Sequence, residues 1–125
     1  MQKRPSIVAA VAHAGGVSNL SVAAITVAEL RYGVEALPAG RRKRSSMASL
    51  DAVLSGLEVR TFTEDTAAVY GRAGALLEAS GVAFSFPDLA IASVALVDDM
   101  TVASNDSFFE HAGRVCGLGF ERWIP

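Results

Sequence analysis

Ser85-Phe86-Pro87-Asp88-Leu89-Ala90-Ile91-Ala92-Ser93-Val94-Ala95-Leu96 places one carboxylate at the head of an otherwise apolar helix. Pro87 suits the first helical position, where a missing N–H costs nothing, and Ser85 or Phe86 then takes the cap. Asp88 falls in the first turn. There it faces unpaired N–H groups and the positive end of the helix dipole, which favour its ionised form by roughly 0.3–1 kcal/mol. Helix chemistry alone accounts for an Asp in that place. Its surroundings add to this: no residue from Leu89 to Leu96 is charged, so the helix should be buried on most sides. A carboxylate at the mouth of a buried helix is a candidate ligand or catalyst.

Upstream of this helix, Pro5 to Ala14 reads as a short helix with Ile7, Val8, Val11 and Ala14 on one face, stopped by Gly15-Gly16. Leu20 to Ile25 is short and apolar, as in a strand buried on both faces. Thr26-Val27-Ala28-Glu29 has the spacing of a capping box, and the helix it opens carries Val27, Leu30, Val34 and Leu37 before Pro38-Ala39-Gly40. A basic loop, Arg41-Arg42-Lys43-Arg44, leads into a second helix marked by Met47, Leu50, Leu54 and Leu57. Glu58 to Phe62 reads as a strand. Thr63-Glu64-Asp65-Thr66 starts a helix lined by Thr66, Tyr70, Ala73 and Leu77 and ended by Ser80-Gly81.

Downstream, Asp98-Asp99 turns the chain into a strand over Met100 to Ser104, followed by Asn105-Asp106. Phe108 and Phe109 begin a short helix or turn, and Gly119 to Ile124 makes an edge strand. Strands alternating with helices indicate one α/β domain over residues 1–125 with a mostly parallel sheet.

The composition sets limits. A net charge of -2 gives no global attraction to nucleic acid or acidic membranes, so any nucleic-acid contact must be local, and Arg41 to Arg44 is the patch that qualifies. Those four cations read equally well as a solvated loop or as an RNA-backbone contact. Cys116 is the single cysteine, so no intrachain disulfide forms, and a reducing cytoplasm is the simplest compartment. No apolar run reaches the roughly 18 residues of a membrane span. His13 and His111 stand without ligand partners at metal spacing, and Cys116 has no paired base nearby. Tyr70, Leu76 and Leu77 fit a dimer face or core packing equally.

In open parallel sheets, ligands bind beyond the carboxyl ends of the strands. Three acids occupy such places: Glu29 after the first apolar strand, Asp88 at a helix head, and Asp106 after Met100 to Ser104. Carboxylates brought together repel unless a cation is shared, and hard oxygen donors without a His or Cys set favour Mg²⁺ or Mn²⁺. Such sites suit phosphoryl chemistry. Each acid also has a plain structural reading, Glu29 in its capping box and Asp106 with Asn105 in a turn.

Ile25-Thr26-Val27-Ala28-Glu29-Leu30-Arg31-Tyr32-Gly33-Val34 resembles the second signature of the PIN-domain family, in particular the VapC and FitB toxins of bacterial toxin–antitoxin pairs. Phe86-Pro87-Asp88-Leu89-Ala90-Ile91-Ala92 is similar to the third signature, and Thr101-Val102-Ala103-Ser104-Asn105-Asp106 with Phe108-Phe109 to the fourth. Order and intervals match over nearly the whole chain, down to the aromatic strand at Trp123. The resemblance implies a PIN-like three-layer α/β/α domain and a Mg²⁺- or Mn²⁺-dependent ribonuclease, commonly a homodimer. Its RNA-cleaving site would be silenced by a VapB-like cognate antitoxin, and operator DNA would be reached only through that antitoxin. Carried residue by residue, Glu29, Asp88 and Asp106 would be the metal-binding acids, with Asn105 as the alternative at the last position.

One departure bears on activity. PIN domains usually begin with an apolar strand ending in Asp-Thr-Ser or Asp-Thr-Asn, whose Asp is the first metal ligand; this chain opens Met1-Gln2-Lys3-Arg4-Pro5, and no acid precedes Glu29. Either that central strand is absent and the sheet closes without it, or Met1 is not the ancestral start. Backbone groups left unpaired at the sheet centre would cost roughly 1–3 kcal/mol each. The alternative function is thus a catalytically weak or inactive module that still dimerises and binds an antitoxin.

Overall fold

A computed structural model describes residues 9–12 and 20–122 of the chain. Strands β1 (Ala9–Ala12) and β2 (Leu20–Ala23) lead to helices α1 (Ala24–Glu35) and α2 (Arg41–Ser55). Next come β3 (Glu58–Arg60), α3 (Glu64–Ala79), α4 (Phe86–Val97), β4 (Met100–Ser104), α5 (Ser107–Cys116) and β5 (Gly119–Arg122). The sheet has the order β3-β2-β1-β4-β5. β2 runs parallel to β3 and β4 parallel to β5, whereas β1 is antiparallel to both its neighbours. Four strands therefore share one direction, and the sheet is mixed, with two parallel and two antiparallel pairings.

The central strand corrects the sequence reading. Periodicity puts Ala9–Ala12 within a helix from Pro5 to Ala14, yet it lies between β2 and β4, with Ala10 opposite Ser21 on one side and Val102 on the other. The reason is non-local. Alanine favours helix on its own, but a gap between β2 and β4 would leave two ladders of backbone groups unpaired, and satisfying them outweighs a propensity worth less than about 1 kcal/mol per residue. The central place that the family pattern leaves empty in this chain is thus filled by a strand of reversed direction. The remainder of that segment, its Gly15-Gly16 stop, His13, and Trp123-Ile124 of the closing strand lie outside the described residues.

Two local readings are also corrected. β2 passes straight into α1 at Ala24, with Ala23 at the cap and no side-chain cap bond. Thr26 is consequently the third helical residue and not a cap, and Glu29 sits a turn further on, so the capping box does not form. Arg41 to Arg44 is the first turn of α2 and not a loop. α2 folds back on α1, tied by Arg31 to Asp51 at 2.6 Å and by the Lys43 ammonium donating to the Glu35 carbonyl at 3.0 Å.

Elsewhere local chemistry and structure agree. Thr63 caps α3 in a capping box with Thr66, and Gly81, at φ 75°, follows its last turn in the left-handed region where glycine costs least. Ser85 caps α4 as one of the two expected residues, but Phe86 is first in the helix and Pro87 second, one place later than the sequence reading, where its missing N–H is still among those without a helical partner. α3 packs closely on α4, where a Cβ on Gly74 would stand 3.2 Å from Leu89 Cδ2. Leu77, Leu89, Val102 and Phe109 form the closed centre of the core, and every residue from Leu89 to Ala95 is buried.

Candidate active site

Topology brings the acids to one edge. α4 runs back along β4, so its first turn lies at the carboxyl end of β4, where Asp106 follows Ser104. β2 points the same way as β4, so α1 begins at that edge too. Two of the carboxylates have a local hold. Asp106 caps α5: its Oδ1 accepts from the Phe108 N–H at 2.9 Å, and its own N–H donates to the buried Ser104 hydroxyl at 3.0 Å. Asp88 is in the first turn of α4 and donates its N–H to the Ser85 hydroxyl at 3.3 Å.

Asp88 and Asp106 interact. Burial first, and the Asp106 charge second, raise the Asp88 carboxyl above its ordinary value of 3.8, while a hydrogen bond from the Ser85 side chain opposes the rise. A half-buried carboxylate facing a like charge holds its proton longer, and a cation between the two would reverse that preference. Glu29 is on the exposed side of α1. Among the described residues, no three of His, Cys, Asp and Glu stand close enough together to hold a metal ion. The structure thus assembles Asp88 with Asp106 and does not complete a three-acid group with Glu29.

Two neighbours of Asp106 escape sequence reasoning. Arg122, at the end of β5, donates to the Asn105 carbonyl at 3.2 Å and to Glu110 at 3.0 Å, so it fastens the loop that carries Asp106. The parallel register that sets Ser104 opposite Arg122 is the signal that would reveal it. His111, one turn along α5, lines a depression of about 360 Å³ with Asp106, Ser107 and Gly81 to Ala83. Its Nδ1 meets the Arg114 guanidinium. The spacing of Glu110, His111 and Arg114 on one helix is the corresponding signal. The basic run lies elsewhere: the twelve residues of α1 carry the chain about 18 Å away from the acid edge before α2 begins.

A second cavity, of about 400 Å³, lies between β2, α1 and α2, walled by Val22, Leu30, Leu50, Val53, Leu54 and Leu57. Thr26 reaches it, and its hydroxyl is buried without a hydrogen-bond partner among the described residues. Among those residues, no helix is long and apolar enough to cross a membrane.

The chain resembles known proteins along most of its length. It is 30% identical over 106 residues to the VapC2 ribonuclease of Rickettsia felis, covering 85% of this chain and 75% of that protein. It is 38% identical over 101 residues to the VapC ribonuclease Y4jK of Sinorhizobium fredii, covering 78% and 72%. The crystal structure of VapBC2 from Rickettsia felis, bound to a DNA fragment from its promoter, superposes with a TM-score of 0.73 at 31% identity over 83% of this chain and 74% of that one. The PIN domain model matches residues 3–115, and with the fold and the acid edge described above, the chain belongs to the PIN domain family.

Proposed function

We propose that this chain is the toxin of a type II toxin–antitoxin pair, a Mg²⁺- or Mn²⁺-dependent endoribonuclease that hydrolyses RNA phosphodiester bonds. The observation that carries this reading is the Asp88–Asp106 pair at the carboxyl edge of β4, in a chain whose relatives bear the name ribonuclease. The donor set suits the cation: Mg²⁺ is commonly held by one or two carboxylates, with water and substrate phosphate completing its shell. Asp88 and Asp106 would hold it, and Glu29 would contribute through α1. When bound, the cation supplies positive charge to the phosphate and lowers the barrier to attack by water.

The chain's own residues do the rest. The Phe108 N–H and the Ser104 hydroxyl fix Asp106, and Arg122 fastens the loop beneath it. Asp88 must lose its proton to serve as a ligand, so affinity for the cation should increase as pH rises past its elevated pKa. Hydrolysis joins a water oxygen to phosphorus and breaks the bond to the leaving ribose oxygen. A VapB-like antitoxin would silence the toxin, operator DNA would be engaged through that antitoxin, and the toxin would act as a homodimer in the cytoplasm.

A second reading rests on the same edge. Glu29 is on the exposed side of α1 while Asp88 and Asp106 interact, and on this second reading the two-acid edge belongs to a non-cleaving module that binds an antitoxin. Calorimetric titration of Mn²⁺ into the parent protein and into Asp88→Asn separates the two. Saturable binding that disappears in the variant, together with Mn²⁺-dependent RNA cleavage by the parent, supports the nuclease. Absence of both supports the module.

A further inference from the structure

Four aromatic rings meet at the edge that carries the acids. Phe62 leaves β3, Tyr70 lies in α3, Phe84 precedes the α4 cap, and Phe86 is the first residue of α4. Tyr70 is the hub, with ring centroids 6.3 Å from Phe62, 6.5 Å from Phe84 and 5.6 Å from Phe86. Phe62 and Phe86 are themselves 6.4 Å apart. All four contacts are edge-on or tilted, and none is a parallel stack. The outer three remain open to solvent: Phe62 40%, Phe84 37% and Phe86 54% exposed. The core does not need them, since Leu77, Leu89 and Phe109 already close it.

We infer that Phe62, Tyr70, Phe84 and Phe86 form a stacking subsite for an unpaired nucleobase of an RNA bound along the edge that carries Asp88 and Asp106. The inference rests on the nuclease reading and adds the residues that select its substrate. Phe86 and Asp88 both belong to the first turn of α4, so the ring cluster and the Asp88–Asp106 pair stand at the same edge of the sheet. Size favours the same occupant. Three Phe side chains, each open over about a third to a half of its surface, expose a few hundred Å² at most. A stable dimer face needs roughly 800 Å² per partner. Aromatic faces accept any base and require only that it leave its helical stack. The subsite therefore selects single strands and loops over duplex, with weak sequence preference.

The test uses the full chain as Asp88→Asn, so that RNA is bound and not cut, with poly(A) carrying 2-aminopurine as the probe and the poly(A)·poly(U) duplex as comparison. Phe62→Leu/Phe86→Leu keeps apolar volume and removes two ring faces. It should weaken single-strand binding roughly ten- to hundredfold, leave duplex binding unchanged, and abolish the quenching of 2-aminopurine. Phe86→Trp keeps a ring and should keep the quenching, which also guards against a leucine variant that folds poorly. Equal single-strand affinity and quenching in the leucine variant would overturn the subsite, while Mn²⁺-dependent cleavage by the parent would leave the nuclease standing. A shift from dimer to monomer in sedimentation with RNA affinity unchanged would overturn it in favour of a contact between two copies. If the parent neither binds nor cuts single-stranded RNA, both readings fall.

Discussion

The middle of the sheet and its carboxyl edge obey different rules. At the edge, Ser85, Asp88, Ser104 and Asp106 bond within three residues of themselves, so each turn carries its own instructions. In the middle, Ala9–Ala12 is a strand because of Leu20–Ala23 on one side and Met100–Ser104 on the other, the latter separated from it by most of the chain. Sites built from local bonds can be read in a sequence, whereas an element defined by its neighbours becomes legible only once those neighbours are placed.

The non-local half stands or falls most visibly with Ala10→Pro. Proline cannot donate to a ladder, and Ala10 faces partners on both sides. A decrease of about 1–3 kcal/mol in unfolding free energy is expected from the backbone group left unpaired. A decrease under about 0.5 kcal/mol, ordinary for a surface position, would mean that β1 does not hold the sheet together.

Asp88→Asn comes next and probes the local half. RNA hydrolysis should fall on the order of a hundredfold or more, since the charge stabilisation a metal supplies is worth several kcal/mol. Stability should move the other way. The Asp88 pKa is raised on folding, so the folded protein binds that proton more tightly than the unfolded chain. The stability this confers is fully present below the ordinary value of 3.8 and is lost as pH rises through the raised value. At neutral pH the ionised carboxylate is therefore a cost that the amide removes. The variant should melt higher than the parent at pH 7, and the difference should shrink as pH falls toward the ordinary carboxylate range. Added Mn²⁺ should raise the parent's melting temperature and leave the variant's in place.

What is legible in the sequence and what is hidden follows the same division. Met100–Ser104 is legible because Asp98-Asp99 and Asn105-Asp106 bound it, and α4 because Ser85, Pro87 and Asp88 mark a helix start. Thr26-Val27-Ala28-Glu29 misleads because its spacing is that of a cap, while β2 runs directly into α1 and leaves Thr26 inside. Arg41 to Arg44 misleads for an electrostatic reason: four cations oppose the positive end of a helix dipole, so a loop is the cheaper assignment.

That cost suggests a compensating use, and removing the charges tests for it. If the run touches RNA phosphates, Arg41→Ala/Arg42→Ala/Lys43→Ala/Arg44→Ala should flatten the dependence of log affinity on log salt by about 0.7 for each single-strand phosphate no longer neutralised. An unchanged slope would assign the run to solvent and place RNA binding at the acid edge alone. The helix itself should become slightly more stable, because the dipole no longer faces like charge.

The smallest effect expected is at Thr26. Its hydroxyl is buried without a partner among the described residues, beside leucine and valine walls, and a buried hydroxyl lacking a hydrogen bond costs about 1–3 kcal/mol on protein-derived scales. Thr26→Val keeps the shape, puts a methyl in place of the oxygen and removes that cost. Unfolding free energy should stay level or rise by about 1 kcal/mol. A clear decrease would show that the hydroxyl is bonded in solution, and the cavity between α1 and α2 would then hold a polar group. Because Thr26 lies in the same helix as Glu29, the measurement also bears on the site: a hydroxyl that proves to be anchored would fix the first turn of α1, and with it the direction from which Glu29 can approach Asp88 and Asp106.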